Sequence, residues 1–461
     1  MKYQLNTDLF DENFLNTNGK LTHKQGNYFK LFPFITTPNS PIVEDLDNLV
    51  GRVLCEIEDI RPHDVSVEEL INKLKQKTEI EVGQEDAFHE IVKQLFFDES
   101  GQIRPINIRL LEQIITEESS EKRIADYLVD VLGKKDRMKA LIENANASLM
   151  ARSNVLESLV FSQLSFENRQ SDDYLEYYRV VDTFVSKFEE DFAYILESNS
   201  RTREYLIPLF EFYYFAYTSQ TCLQLDRFFD GERDSIVPLY FSLDWEKTSL
   251  SRKCYTEGWQ ILQRSIRRIF AHSITLEILN LSEESSDRVD YIAINKYLEE
   301  YPEEEAYLAE NIKVLTDKYR SAITDCPEMN ELIPESGPSS AEKEVAYLFN
   351  SVKTQFENTG RERAYDSYAN KFESYCSKYL KSRGRSGLIL NLTEETLIFL
   401  TKLSIKNNET MRLVDVFNEF EARGIFLDDI SKDQVAEYYE KLNLIEKKSD
   451  SGDAKYVKRI L

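Results

Sequence analysis

Along most of this chain, apolar side chains recur every three or four residues, the spacing that gathers them on one face of an α-helix. Ile42, Leu46, Leu49, Val50, Val53 and Leu54 form the first stripe, and Ser40-Pro41 ahead of it reads as an N-cap with proline in the first turn. Ser66 with Glu69 predicts a capping box before Leu70, Ile71 and Leu74. Short amphipathic runs follow over 86–97, 108–115 and 122–132, separated by Gly101, Pro105 and Gly133. From Arg137 the helices are expected to lengthen. Leu156, Leu159, Val160 and Leu164 make one stripe; Tyr174, Tyr177, Val181, Phe184, Phe188, Phe192 and Ile195 make another, close to a heptad seam. Patterning this sustained is a packing signal first, so these stripes read as core and helix-pairing surfaces. The N-terminal run Tyr28 to Ile35 is different. Between Gly26 and Thr36-Thr37-Pro38 it predicts a short strand or an extended segment lying on the body.

A second helical block is expected from Tyr205 to Ile323, with breaks at Asp230-Gly231 and over 282–286. Residues 325–340 hold three prolines and a glycine and read as a linker, after which Ser339 with Glu342 starts a helix. Tyr365, Tyr368, Phe372, Tyr375 and Tyr379 share one face of a further helix over 361–381, ended by the basic loop Arg383 to Gly387. Beyond it, Thr393 caps a helix, Leu413 to Ala422 forms a second that Gly424 closes, and Ser431 with Gln434 opens a third. Two extended runs, 444–448 and 455–461, joined by a Ser/Asp/Gly turn, complete a β-hairpin. Three helices plus a β-hairpin are the elements of a winged helix. The expected fold is therefore mainly α: multi-helix bundle domains with a C-terminal winged-helix-like domain. The expected segments are 1–136 (N-terminal segment and small helical domain), 137–324 (long-helix bundle), 325–340 (linker), 341–387 (helical extension with the basic loop) and 388–461.

Composition agrees with this picture: 14 glycines and 11 prolines in 461 residues leave few breaks in the helices, and 26 Tyr and 27 Phe supply the packing. Charge restricts what the C-terminal domain can touch. The formal net charge is −25, which repels nucleic-acid phosphates on average, so any such contact needs a local basic patch. From Ser386 onward there are 11 Lys/Arg against 14 Asp/Glu, and the third helix carries Asp433, Glu437 and Glu440 against Lys432 and Lys441. A groove-reading helix offers the opposite balance. The hairpin is better supplied, with Lys447, Lys448, Lys455, Lys458 and Arg459; just upstream stand Lys378, Lys381, Arg383 and Arg385. These nine residues are the candidates for holding a DNA backbone. The competing reading of the upstream set is a basic helix end complementing its own dipole.

Candidates for catalysis are few. No phosphate-binding glycine loop, nucleophile elbow or H-E-x-x-H zinc motif occurs. The five cysteines are scattered without a C-x-x-C pair, and the four histidines stand far apart, so neither metal nor cofactor is expected. Arg267 and His272 form an R-x4-H pattern that resembles the Arg/His pair of the HEPN ribonuclease superfamily, whose all-helical folds dimerise to join two such pairs. A ribonuclease of a toxin or defence system is thus an alternative, and a winged-helix transcriptional regulator another. Glu446-Lys447-Lys448 matches half of a metal-dependent nuclease motif without a sheet to supply the second carboxylate. The polar, acidic N-terminus lacks a signal peptide's apolar core. The most apolar stretch, 205–217, contains Pro208 and Glu211 and is too short for a bilayer, so a cytoplasmic protein without membrane contact is expected.

The N-terminal block His23-Lys24-Gln25-Gly26, continuing through Phe29-Lys30-Leu31-Phe32-Pro33-Phe34 into a long acidic helical body, resembles the DptG family of DNA phosphorothioation-dependent restriction. The resemblance implies a cytoplasmic bacterial subunit that works with an ATPase-like DptF and a helicase-like DptH on DNA lacking the sulfur-modified backbone. It brings no catalytic residues with it. A non-catalytic scaffold that binds partner subunits, and double-stranded DNA through its backbone, is the function this implies.

Overall fold

The computed structural model describes residues 3, 5–23, 25–37, 43, 45–63, 65–114, 119–169, 175–197, 202–282, 288–447 and 455–460. The fold is mainly α-helical, with short strands, and the chain divides into two compact units. One comprises residues 1–40, 175–183 and 215–461; the other comprises 41–174 and 184–214. The boundary expected at 136–137 falls inside the second unit, and the expected linker 325–340 falls inside the first.

In the second unit the helix Leu46–Glu58 packs against Ser119–Leu132 and Lys135–Arg152. Its cap is Asp45, whose side chain accepts from Asp47 N, and not the expected Ser40-Pro41, which lies outside the described residues. Ser66 caps the helix Val67–Lys77 as its pattern predicts, accepting from Glu69 N at 3.2 Å. That helix shares a core with Val92, Phe96, Val160 and Phe161. The run expected over 108–115 forms a helix only over Ile108–Leu111. Its purpose is visible in Glu112, which is fully buried and bonded to Arg109 at 2.9 Å and Asn146 at 3.4 Å. The predicted heptad seam is half right. Phe184, Phe188, Phe192 and Ile195 lie buried on the helix Thr183–Glu197, whereas Tyr177 and Val181 are buried on extended chain and Tyr174 is outside the described residues.

In the first unit every residue of the helix Ile269–Leu279 is buried. It packs on the helices Ala341–Glu357 and Glu362–Cys376, with Phe270 edge-on to Phe356 and Tyr368. The N-terminal segment is extended here, as expected, and buries Phe29, Leu31, Phe32 and Phe34. One carboxylate secures it. Glu277 Oε1 accepts from the backbone N–H of Asn27 and Tyr28, and Oε2 from those of Gly26 and Phe29, all within 2.8–3.2 Å. Gly26 has φ +76, a conformation that suits glycine and turns the following amides inward.

Two expectations need correcting in this unit. The helix after the proline-rich segment is capped by Ser340, while Ser339 instead donates to Glu344 at 2.6 Å. The segment itself is folded: Pro327–Asn330 makes a 3-10 turn, and Arg320 donates to Met329 O at 2.7 Å. More consequential is a four-stranded sheet that helical periodicity does not reveal. Its order is Leu380–Ser382, Leu388–Leu392, Tyr240–Leu243, Phe426–Leu427, antiparallel at the first junction and parallel at the other two. Leu388–Leu392, the start of the expected last segment 388–461, is an inner strand of this sheet. No described helix is long and apolar enough to cross a membrane.

Candidate functional site

The C-terminal residues build a module on that sheet. Thr393 Oγ1 accepts from Thr396 N at 3.1 Å and caps the first module helix, Glu394–Ile405. A strand the sequence pattern does not signal, Thr410–Arg412, precedes the second, Leu413–Glu421. Gly424, at φ +83, closes it as expected. The third helix is Asp429–Lys441, capped by Asp428 and not by Ser431. Ile445–Lys447 and Lys455–Lys458 then form the hairpin, and Lys455–Lys458 also pairs with Thr410–Arg412, giving a three-stranded antiparallel sheet.

Ser431 is buried because it belongs to a polar cluster that joins the module to the sheet. The Arg252 guanidinium forks onto Asp428 with two 2.6 Å bonds, reaches Glu246 at 3.0 Å and donates to Ser431 at 2.8 Å. Ser431 Oγ donates in turn to Glu246 at 2.9 Å. Burial favours the neutral forms of both acids. At Asp428 the bonds from Arg252 overcome it and hold the carboxyl below the ordinary carboxylate range; at Glu246 burial wins and the carboxyl is raised.

This arrangement sorts the nine phosphate-binding candidates. Lys381 donates to both Asp244 O and Asp244 Oδ1 at 2.6 Å. Arg383 donates to Leu243 O at 3.0 Å and Glu246 O at 3.1 Å. Both therefore hold the segment after the strand Tyr240–Leu243, and the structure does not present them as a loose basic loop. Lys378 is exposed, 5.0 Å over the Tyr375 ring, and Arg385 is exposed on the turn Gly384–Ser386. On the hairpin, Lys455 pairs with Glu440 at 2.9 Å; Lys458 is exposed and reaches Asn443 O at 3.3 Å. Arg459 is exposed and bonds Asn407 at 3.2 Å. Lys447 lies on its strand, and Lys448 is outside the described residues. One residue joins this surface that the sequence reading passed over. Arg412, at the end of the unpredicted strand, is exposed, and its Nε donates to the Tyr456 hydroxyl at 3.4 Å. By contrast Arg423 is fully buried, bonded to Glu419 at 2.7 Å, and adds nothing to the surface.

The Arg267/His272 pattern does not come together. His272 is fully buried: its Nδ1 meets the Tyr291 hydroxyl at 3.0 Å and its Nε2 meets Asp226 at 3.1 Å. Arg267, at the end of the preceding helix, instead pairs with Glu373 at 2.5 Å and Asp366 at 3.4 Å. The arginine that shares Asp226 with His272 is Arg268, at 3.0 Å. Burial, then the charge of Arg268, drives the imidazole below its ordinary range, opposed only in part by Asp226. An imidazole that moves protons for a substrate must reach it, and this one is sealed among Phe228, Tyr291 and Phe349. Among the described residues no group of three His, Cys, Asp or Glu side chains is placed to hold a metal ion. A groove of about 310 Å³ in the second unit, between Leu141, Ala145, Arg152 and Leu196, is lined by no histidine or cysteine.

No family model matches the chain, and no curated protein is similar to it.

Proposed function

We propose that the chain is a non-catalytic scaffold or adaptor subunit of a bacterial, cytoplasmic, phosphorothioation-dependent DNA restriction complex. In this reading it binds an ATPase-like and a helicase-like subunit and touches DNA, where it does, through the backbone. The observation that carries the adaptor part is the C-terminal module. Apart from Phe426–Leu427, which joins the four-stranded sheet, its helix, strand, helix, helix, strand, strand order resembles a winged helix. The exposed face of the third helix, however, offers Asp429, Asp433, Glu437 and Glu440 with Lys441 as its exposed base. That charge repels a DNA groove, so neither sequence reading nor a stand-alone regulator is favoured. The isolation of His272 from Arg267 weighs against the ribonuclease alternative.

Membership of a restriction complex rests on the resemblance of the block around residues 23–34, in which Phe29 and Leu31 to Phe34 are buried and whose backbone over 26–29 is tied by Glu277. The test is capture of the tagged full chain from its native host, followed by mass spectrometry. Recovery of an ATPase-like or helicase-like protein encoded nearby is the expected result. Recovery of the chain alone overturns the reading.

A further inference from the structure

We propose that the outer face of the three-stranded sheet, centred on Arg412, Tyr456 and Lys458, grips the phosphate backbone of duplex DNA without reading its sequence. The inference rests on taking the C-terminal module as a docking arm, and it names what one of its faces docks.

Register defines the face. Met411, Val457 and Ile445 stand opposite one another, and Val457 is fully buried, so these positions point to the module core. Side chains alternate along a strand, which puts the intervening set outward: Thr410 opposite Lys458, and Arg412 opposite Tyr456 opposite Glu446. Arg412 and Lys458 are therefore diagonal neighbours, about 7–8 Å apart at their backbones. That separation is comparable to the spacing of successive phosphates on one strand. The Arg412–Tyr456 bond steadies the guanidinium beside a phenol that can itself donate to a phosphate.

Charge supplies the specificity for a polyanion. On this outward face Arg412 and Lys458 stand against Glu446, whereas Lys455, in step with Val457, falls on the other side and pairs with Glu440. In a chain of net charge −25 such a local surplus is the exception. Arg412 also occupies the N-cap position of the second module helix, which has no side-chain cap, so the positive end of the helix dipole adjoins the face. Asp415 in the first turn offsets part of it. The acidic third helix opposes entry into a groove, leaving backbone contact as the mode that the two surfaces together permit.

The experiment is fluorescence anisotropy of a random-sequence 25-base-pair duplex, titrated with the full chain at several KCl concentrations. Wild type is expected to bind with steep salt dependence. The Arg412→Ala/Lys458→Ala variant is expected to lose at least tenfold in affinity at low salt and about two units of log–log salt slope, one per contact. Arg412→Lys/Lys458→Arg, which keeps both charges, should retain the slope. Both residues are exposed, so an unchanged thermal melt shows that the loss is not unfolding. Absence of binding by wild type, an unchanged slope in the alanine variant, or preference for one duplex sequence overturns the proposal. Partner capture by the alanine variant should match wild type. If capture fails throughout while DNA binding persists, the restriction-complex reading falls and the backbone grip stands.

Discussion

Single residues in this protein are informative mainly through what they bury. His272 looks like a candidate acid–base group in sequence because an arginine stands five residues before it. In the fold its two nitrogens are spent on Asp226 and Tyr291. Asp226 also meets Ser265 at 2.6 Å and Arg268 at 3.0 Å; against burial, His272 first and then Arg268 and Ser265 hold it below the ordinary carboxylate range. The opposite case is Glu112, which burial first, and then the charge of Glu58, push up to about 8. Cys55 Sγ donates to the Glu112 carbonyl, and Lys139 donates to that of Glu58 at 3.0 Å, so the acids sit in a packed site. The direction of the pH effect follows from linkage. A carboxyl whose pKa is raised on folding keeps its proton in the folded state after the unfolded chain has released it. Its contribution is complete below the ordinary carboxylate range and is lost as pH rises toward 8. Stability of the wild type should therefore fall by a few kcal/mol from about pH 5 to pH 8. Glu112→Gln should flatten that fall. Urea midpoints at pH 5, 6.5 and 8 would check this, and parallel profiles for the two proteins would refute it.

At the level of elements, local chemistry was legible in sequence and long-range pairing was not. Ser66, Thr393 and Gly424 do what their patterns predict because a cap interacts within its own turn. Ser431 deceived because Asp428, three residues earlier, offers an equally good cap, and the choice between them was made by Arg252, 176 residues away from Asp428 in sequence. The four-stranded sheet was invisible for a related reason. Strands of two to five residues are too short to show alternation, and the two parallel junctions join segments far apart in sequence. The same blindness made Lys381 and Arg383 look like free bases, since the carbonyls they serve belong to residues 243–246. Arg252 is the element-scale test. Removing one partner from a buried charge cluster costs about 3–5 kcal/mol, because the remaining charges stay desolvated. Arg252→Ala should shift the urea midpoint by that amount. Arg252→Lys should recover less than half of it, since a point ammonium cannot reproduce the two-pronged bond to Asp428. Full recovery by lysine would mean that charge alone, and not fork geometry, holds the third module helix.

On the scale of the whole molecule, the question is whether the C-terminal module is a separable domain. Sequence composition places its boundary at 387–388, where a glycine-flanked basic loop ends. In the fold, that cut separates Leu388–Leu392 from both of its neighbours in the sheet, Leu380–Ser382 and Tyr240–Leu243. It also takes Phe426–Leu427 from its parallel partner Tyr240–Phe241, and strips Asp428 and Ser431 of Arg252 and Glu246. Ile389, Leu390, Leu392 and Leu427, all buried in the intact chain, would lose much of their cover. A fragment 388–461 keeps its own three-stranded sheet and three helices, yet it must expose apolar strand edges and leave a buried-acid site without its counter-ion. It is therefore expected to melt without a cooperative transition, or to aggregate, while the full chain melts cooperatively. Circular dichroism on both, with amide dispersion in the nitrogen–proton NMR spectrum of the fragment, measures this directly. A sharp melt and dispersed amides from the fragment would show that the sheet merely receives the module. The expected result would instead make residues 240–252 part of the module's foundation, so that a load on its three-stranded sheet is transmitted to the strand Tyr240–Leu243 and the Arg252 cluster.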